Sequence, residues 1–111
     1  MEKKLGKIEK VRFGHCGYDN TGIGISFTFL FDGRGVCADK SGWDAEIIKH
    51  SDHCKWTEED RNKSYAEIVR YISLLLKQAK VSDVSDLRGK PVEITLDGKL
   101  LKDWRILEEV L

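Results

Sequence analysis

The chain has 111 residues, in which nineteen Lys and Arg balance nineteen Asp and Glu, with 41% hydrophobic and 34% charged positions. Ten aromatic residues and a single proline exclude collagen-like, low-complexity and largely disordered chains. The zero net charge signals neither a basic nucleic-acid module nor an acidic mimic of DNA. The length predicts one domain over residues 1–111, burying about 12,000 Å² on folding, enough for a single core.

Lys7 to Phe13 reads as a first strand, with Val11 and Phe13 on one face and Ile8 on the other. Gly14 to Gly22 collects three glycines with Asp19 and Asn20 and reads as a loop. From Ile23 the alternation is strict: Ile23, Ile25, Phe27, Phe29 and Phe31 share a face, which predicts a half-buried strand. Asp32-Gly33-Arg34-Gly35 supplies turn chemistry, and Val36 to Ala38 returns as a short third strand. Ser41-Gly42-Trp43-Asp44 opens a short helix through Ile48, followed by a polar break from Lys49 to Lys55.

A long helix follows. Thr57 is its N-cap, and Glu58, Glu59 and Asp60 place acids in the first turn, where the helix dipole favours them. Tyr65, Ile68, Val69, Ile72, Leu75, Leu76 and Ala79 recur at spacings of three and four, a single apolar stripe ending near Lys80. Ser82 to Leu87 reads as a short helical turn or loop, and Gly89-Lys90-Pro91 restarts an extended segment. Val92, Ile94 and Leu96 alternate with polar residues. Asp97-Gly98 signals a hairpin, and Leu100 to Leu107 pairs back. The order β-β-β-α-α-β-β predicts an α+β fold: an antiparallel sheet of about five strands with the long helix on one face. Leu30 and Ile8, read on the opposite face, mark a possible homodimer contact.

The longest apolar run, Ile25 to Phe31, is far short of the roughly 18 residues a membrane span needs. The start of the chain lacks the apolar stretch of a secretory signal. Cys16, Cys37 and Cys54 are odd in number and widely spaced, which fits reduced thiols and a cytoplasmic setting.

The motifs that carry chemistry are sparse. His15, Cys16, Cys37, His50, His53 and Cys54 are soft or borderline metal ligands, yet only His50, His53 and Cys54 are compact, and no paired CxxC is present, so no metal or cofactor is predicted. Nothing fixes a base beside Cys16 or Cys37, and no GxSxG elbow occurs, so no catalytic residue is assigned. Gly14, Gly17, Gly22 and Gly24 lack the GxGxxG or GK[ST] spacing of phosphate loops, but leave a backbone nest for a nucleotide phosphate open. Lys3, Lys4, Lys7, Lys10 and Arg12 face only Glu2 and Glu9 in the first strand, a local basic excess. Trp104 reads as core, whereas Trp43 and Trp56 precede helical starts and divide between core caps and binding anchors.

Several segments together resemble a family of small phage and prophage proteins. They are Val11-Arg12-Phe13-Gly14 with Gly17-Tyr18, Trp56-Thr57-Glu58-Glu59-Asp60-Arg61, Lys80-Val81, Leu87, Gly89-Lys90-Pro91-Val92-Glu93 and Trp104 to Leu111. The resemblance spans nearly the whole chain and implies a genomic setting without assigned catalytic residues. The family's first loop carries Gly-Gly where this chain has His15-Cys16-Gly17, so the resemblance implies no role for His15 or Cys16. Small accessory phage proteins of this size act by binding a host defence complex, a signalling nucleotide or a host regulator, and the expectation here is a non-enzymatic protein of the host cytoplasm that occludes a host antiviral defence protein, in the manner of an anti-CRISPR. Its contact surface would comprise Tyr18, Asp19 and Asn20, the turn at Arg34, and Trp43 to Trp56. The alternative is a nucleotide- or nucleic-acid-binding module using the glycine-rich segment 14–24 and the basic residues Lys4, Lys7, Lys10 and Arg12.

Overall fold

The computed structural model of the chain describes residues 1–17, 20–44 and 57–111, the side chain of Trp43 excepted. Five strands, β1 (Glu2–Cys16), β2 (Gly22–Phe31), β3 (Arg34–Trp43), β4 (Pro91–Asp97) and β5 (Leu100–Ile106), form one antiparallel sheet in the order β3-β2-β1-β4-β5. A single α-helix among the described residues, α1 (Glu58–Ala79), packs on one face. The expected α+β class and five-strand sheet are therefore present. The predicted second helix is not: Ser41, Gly42 and Trp43 are the end of β3, and the remainder of that prediction lies outside the described residues.

The 15-residue β1 is shared by two hairpins. Its second half pairs with β2, from Lys7 opposite Leu30 to Cys16 opposite Gly22, and its first half with β4, from Glu2 opposite Leu96 to Lys7 opposite Pro91. The β2–β3 hairpin closes through Asp32 and Gly33, both at positive φ (49° and 74°), the left-handed pair that a two-residue turn requires and that glycine adopts without strain.

The register of β1 corrects the first-strand prediction. A bulge between Ile8 and Lys10 inserts one residue, so Ile8 (1% exposed) shares the core face with Val11 instead of opposing it. Ile8 is therefore removed from the expected dimer contact with Leu30, which lies on the other face opposite Lys7. A second irregularity between Thr95 and Leu96 turns Leu101, not Leu100, towards the core.

The core consists of Ile25, Phe27, Phe29 and Phe31 of β2, Ile8 of β1, Val92, Ile94 and Leu96 of β4, Ile106 of β5, Leu87, and Leu75 and Ala79 of α1. Trp104 of β5 touches Phe29 at a centroid distance of 4.6 Å and Phe27 at 5.0 Å. Those rings stand three strands apart in the sheet order, which in a flat sheet separates them by about 14 Å. The sheet is therefore curled around its apolar face, and α1 closes the opening, its Ser64 and Ile68 lying over Gly42 of β3. Tyr71 of α1 hydrogen-bonds the Trp104 side chain, while burial pushes the Tyr71 hydroxyl's pKa up. Val69, expected in the helix stripe, is mostly exposed.

The helix ends as its sequence predicts. The Thr57 hydroxyl accepts from the Asp60 N–H (3.1 Å), and the Asp60 carboxylate accepts from the Thr57 N–H (2.9 Å), a reciprocal capping box. Lys80 closes the other end in the left-handed conformation. No helix among the described residues is long and apolar enough to cross a membrane.

Two outcomes test this account. Trp104→Ala should lower unfolding stability by about 3–5 kcal/mol in a denaturant titration, because it removes the contact that holds the curl. The hydrogen bonds from Thr57 hold the Asp60 carboxyl below its ordinary value of 3.8, so its support of the fold is complete above that pH and is lost as pH falls through the lower folded value. Asp60→Asn should remove this part of the acid transition when helicity is followed by circular dichroism.

Candidate functional site

Because α1 covers one face of the sheet, the opposite face of β1–β3 is left bare by the described residues. Across it the register builds rows: Lys10, Thr28 and Cys37; Arg12, Ser26 and Asp39; Gly14, Gly24 and Ser41. On β2 and β3 the positions of this face are small or polar, with Leu30 and, by register at the end of β3, Trp43 the large exceptions. On β1 it carries cations. The bulge that turns Ile8 inward also brings Lys7, Lys10 and Arg12 onto this one face.

A groove of about 470 Å³ crosses these rows, lined by Lys10, Val11 and Arg12 of β1, Ser26, Phe27 and Thr28 of β2, Cys37 of β3, and Arg88. Arg88 arrives from the corner before β4. Asp83 caps the 3₁₀ turn Val84–Leu87 by accepting from the Ser85 N–H at 2.8 Å; that bond and the Ser85 hydroxyl hold the Asp83 carboxyl below its usual pKa. The following Gly89 N–H donates to the Ile8 carbonyl at 2.7 Å, which docks the corner beside β1. Gly14 leaves room for the Arg12 guanidinium, whose terminal nitrogen would lie 3.3 Å from a Cβ at that position.

The groove's electrostatics differ from those of the rest of the sheet. Towards β4 and β5 the cations are neutralised: Glu93 of β4 meets Lys3 of β1 at 3.9 Å and Arg105 of β5 at 3.2 Å, and Glu109 accepts two bonds from the Arg105 guanidinium at 3.0 and 3.1 Å. No ion pair among the described residues involves Lys7, Lys10, Arg12 or Arg88. Three cations and two hydroxyls thus line the groove, a donor set for phosphate oxygens; Asp39, beside Ser26 on the same face, stands outside the lining and accepts from the Ser41 hydroxyl at 3.2 Å.

Lys4, expected with the basic set, lies apart. It pairs with Glu2 (2.9 Å) and Asp32 (3.2 Å), whose carboxylates hold its ammonium above the usual lysine pKa. The expected glycine loop also resolves differently: Gly14, Gly22 and Gly24 are strand residues, and among its described residues Gly17 and Asn20 have positive φ.

Of the expected protein-contact set, Tyr18, Asp19 and Trp56 lie outside the described residues, and Trp43 is described only in its backbone, opposite Gly22. Asn20 and Arg34 occupy opposite ends of β2, separated by about 30 Å of strand. His50, His53 and Cys54 also lie outside the described residues, and no metal-binding group of His, Cys, Asp and Glu occurs among those described.

His15 and Cys16, adjacent in sequence, point to opposite faces. His15 Nε2 bonds Asp44 Oδ2 at 2.8 Å, and the Asp44 N–H donates to the Thr21 carbonyl at 2.9 Å. Asp44, just past β3 and 7% exposed, therefore ties the ends of β1 and β3 to the turn between β1 and β2. The sequence reading missed this pair because the partners are 29 positions apart. Asp44→Ala should cost about 1–3 kcal/mol in thermal or denaturant unfolding, a structural loss that leaves Lys10 and Arg12 in place.

Comparison with protein-family models, with curated proteins and with solved structures finds no match.

Proposed function

We propose that this chain is a non-enzymatic binding protein whose working surface is the bare face of its sheet, and that its partner is the phosphate backbone of a nucleic acid. The supporting observation is the groove where Lys10, Arg12 and Arg88 meet the Ser26 and Thr28 hydroxyls without a described acidic partner. Cations gathered in one groove attract a polyanion even where the whole molecule is neutral. The affinity comes from releasing counterions condensed on the phosphates, so it falls steeply with salt.

The double variant K10E/R12E reverses two groove charges at exposed positions. It should abolish retention on heparin and binding to DNA at about 50 mM salt while leaving the unfolding midpoint within about 0.5 kcal/mol of the parent. Unchanged DNA binding by that variant would overturn the proposal.

A second reading, occlusion of a host defence protein in the cytoplasm, draws on the likeness to small phage proteins and on a separate feature. Leu5, 70% exposed, stands with Leu30 and Phe31 in a shallow hollow of about 400 Å³ beside the turn leading to Arg34. An exposed leucine in a hollow is the type of anchor a protein partner covers. On this reading L5D abolishes recovery of a host protein with the chain, whereas K10E/R12E does not.

A further inference from the structure

Resting on the nucleic-acid reading above, we infer that Asp83 is a positioning residue of the phosphate site: its cap on the turn Val84–Leu87 holds Arg88 at the groove, while Asp83 itself lies outside the lining. Arg88 is the cation of the groove that β1 does not carry, and its backbone is fixed on both sides. Before it, the Asp83 carboxylate accepts from the Ser85 N–H at 2.8 Å and from the Ser85 hydroxyl at 2.7 Å, and the Arg88 N–H donates to the Ser85 carbonyl at 3.4 Å. Leu87, wholly buried in the core, pins the turn from within and leaves Arg88 exposed beside it. After it, Ile8 holds the chain by both of its backbone groups: its carbonyl accepts from the Gly89 N–H at 2.7 Å, and its N–H donates to the Lys90 carbonyl at 3.0 Å.

Ile8 is where the bulge of β1 begins, and Lys10 and Arg12 follow it on the outward face. One stretch of β1 therefore turns two of the cations outward and receives the corner that brings the third. The β1 side of this clamp belongs to the sheet, whereas the Asp83 side is exposed and made by one carboxylate. Without that carboxylate the Ser85 N–H loses its partner, and a guanidinium on a loosened turn has to be ordered again when a phosphate binds. Charge and position make opposite predictions for this residue. A carboxylate near a polyanion repels it, so by charge alone the loss of Asp83 strengthens binding. By position the same loss weakens binding, because Arg88 is no longer held.

The test is fluorescence anisotropy of the full chain with a labelled DNA duplex of about 25 base pairs, from about 50 to about 200 mM salt, for the parent and for D83A, D83N, R88Q and D83A/R88Q. R88Q should lower affinity about eightfold at about 0.1 M salt, the counterion contribution of one phosphate, and make the slope of log affinity against log salt shallower by about one unit. D83A should weaken binding by about threefold or more. D83N, which keeps a capping oxygen, should bind at least as tightly as the parent. In the R88Q background D83A should weaken binding no further, since its effect passes through Arg88. Unchanged or tighter binding by D83A, or the same loss with and without Arg88, would overturn this inference while leaving nucleic-acid binding intact. Absence of DNA binding by the parent chain at about 50 mM salt would overturn the reading it rests on, and the inference with it.

Discussion

The contact between Trp104 and the two phenylalanines of β2 is the constraint on which the rest of the structure depends. One helix stripe cannot cover a flat five-stranded sheet, and apolar area left in water costs about 25 cal/mol for every Å². Curling the sheet until β5 meets the face of β2 supplies the missing cover from the sheet itself. Phe27 and Phe29 then lie between their own strand and the indole, and α1 has only the remaining opening to close. The hydrogen bond that the Trp104 indole N–H donates to the Tyr71 hydroxyl joins the helix to that closure, so helix and curl stabilise the same arrangement.

Curling in one direction has an electrostatic consequence on the other side. All the large apolar side chains of β2 except Leu30 are spent on the concave face, and the convex face of β1–β3 is free to carry whatever the interior does not require. At β4 and β5 it carries cations already matched by Glu93 and Glu109. At Lys7, Lys10 and Arg12 of β1 it carries cations that enter no ion pair among the described residues. The difference lies in arrangement and not in composition, which is why a chain of zero net charge can present a basic surface.

Local signals were legible in the sequence and non-local ones were not. The helix from Glu58 to Ala79, its Thr57 cap and the alternation of β2 follow from side-chain period and capping chemistry within a few residues. The bulge at Glu9 was not legible, because a single inserted residue changes no composition or hydropathy, yet it reverses the facing of Ile8 relative to Val11. Gly14 and Gly22 read as loop because glycine favours turns, but cross-strand pairing holds both as strand. Ser41 to Trp43 read as the start of a helix for a similar reason: the ladder to β2 that makes them strand involves residues some twenty positions away. In the candidate site, Lys7, Lys10 and Arg12 were visible as a local basic excess. Arg88 was not, since only the docking of Gly89 and Lys90 on Ile8 brings it to them.

The sharing of β1 between two hairpins also sets an order of assembly. Its second half meets β2 across a short turn, but its first half pairs Glu2 with Leu96, residues separated by almost the whole chain. During synthesis β1, β2 and β3 can associate early, with one face of their apolar residues uncovered, until β4 and β5 have been made. The closing step therefore bears the loop-closure entropy of a long chain segment, and nascent molecules spend time as an incomplete three-stranded sheet with a sticky edge. Chaperone dependence and losses to aggregation should accordingly track the arrival of the last two strands and not the stability of the finished fold.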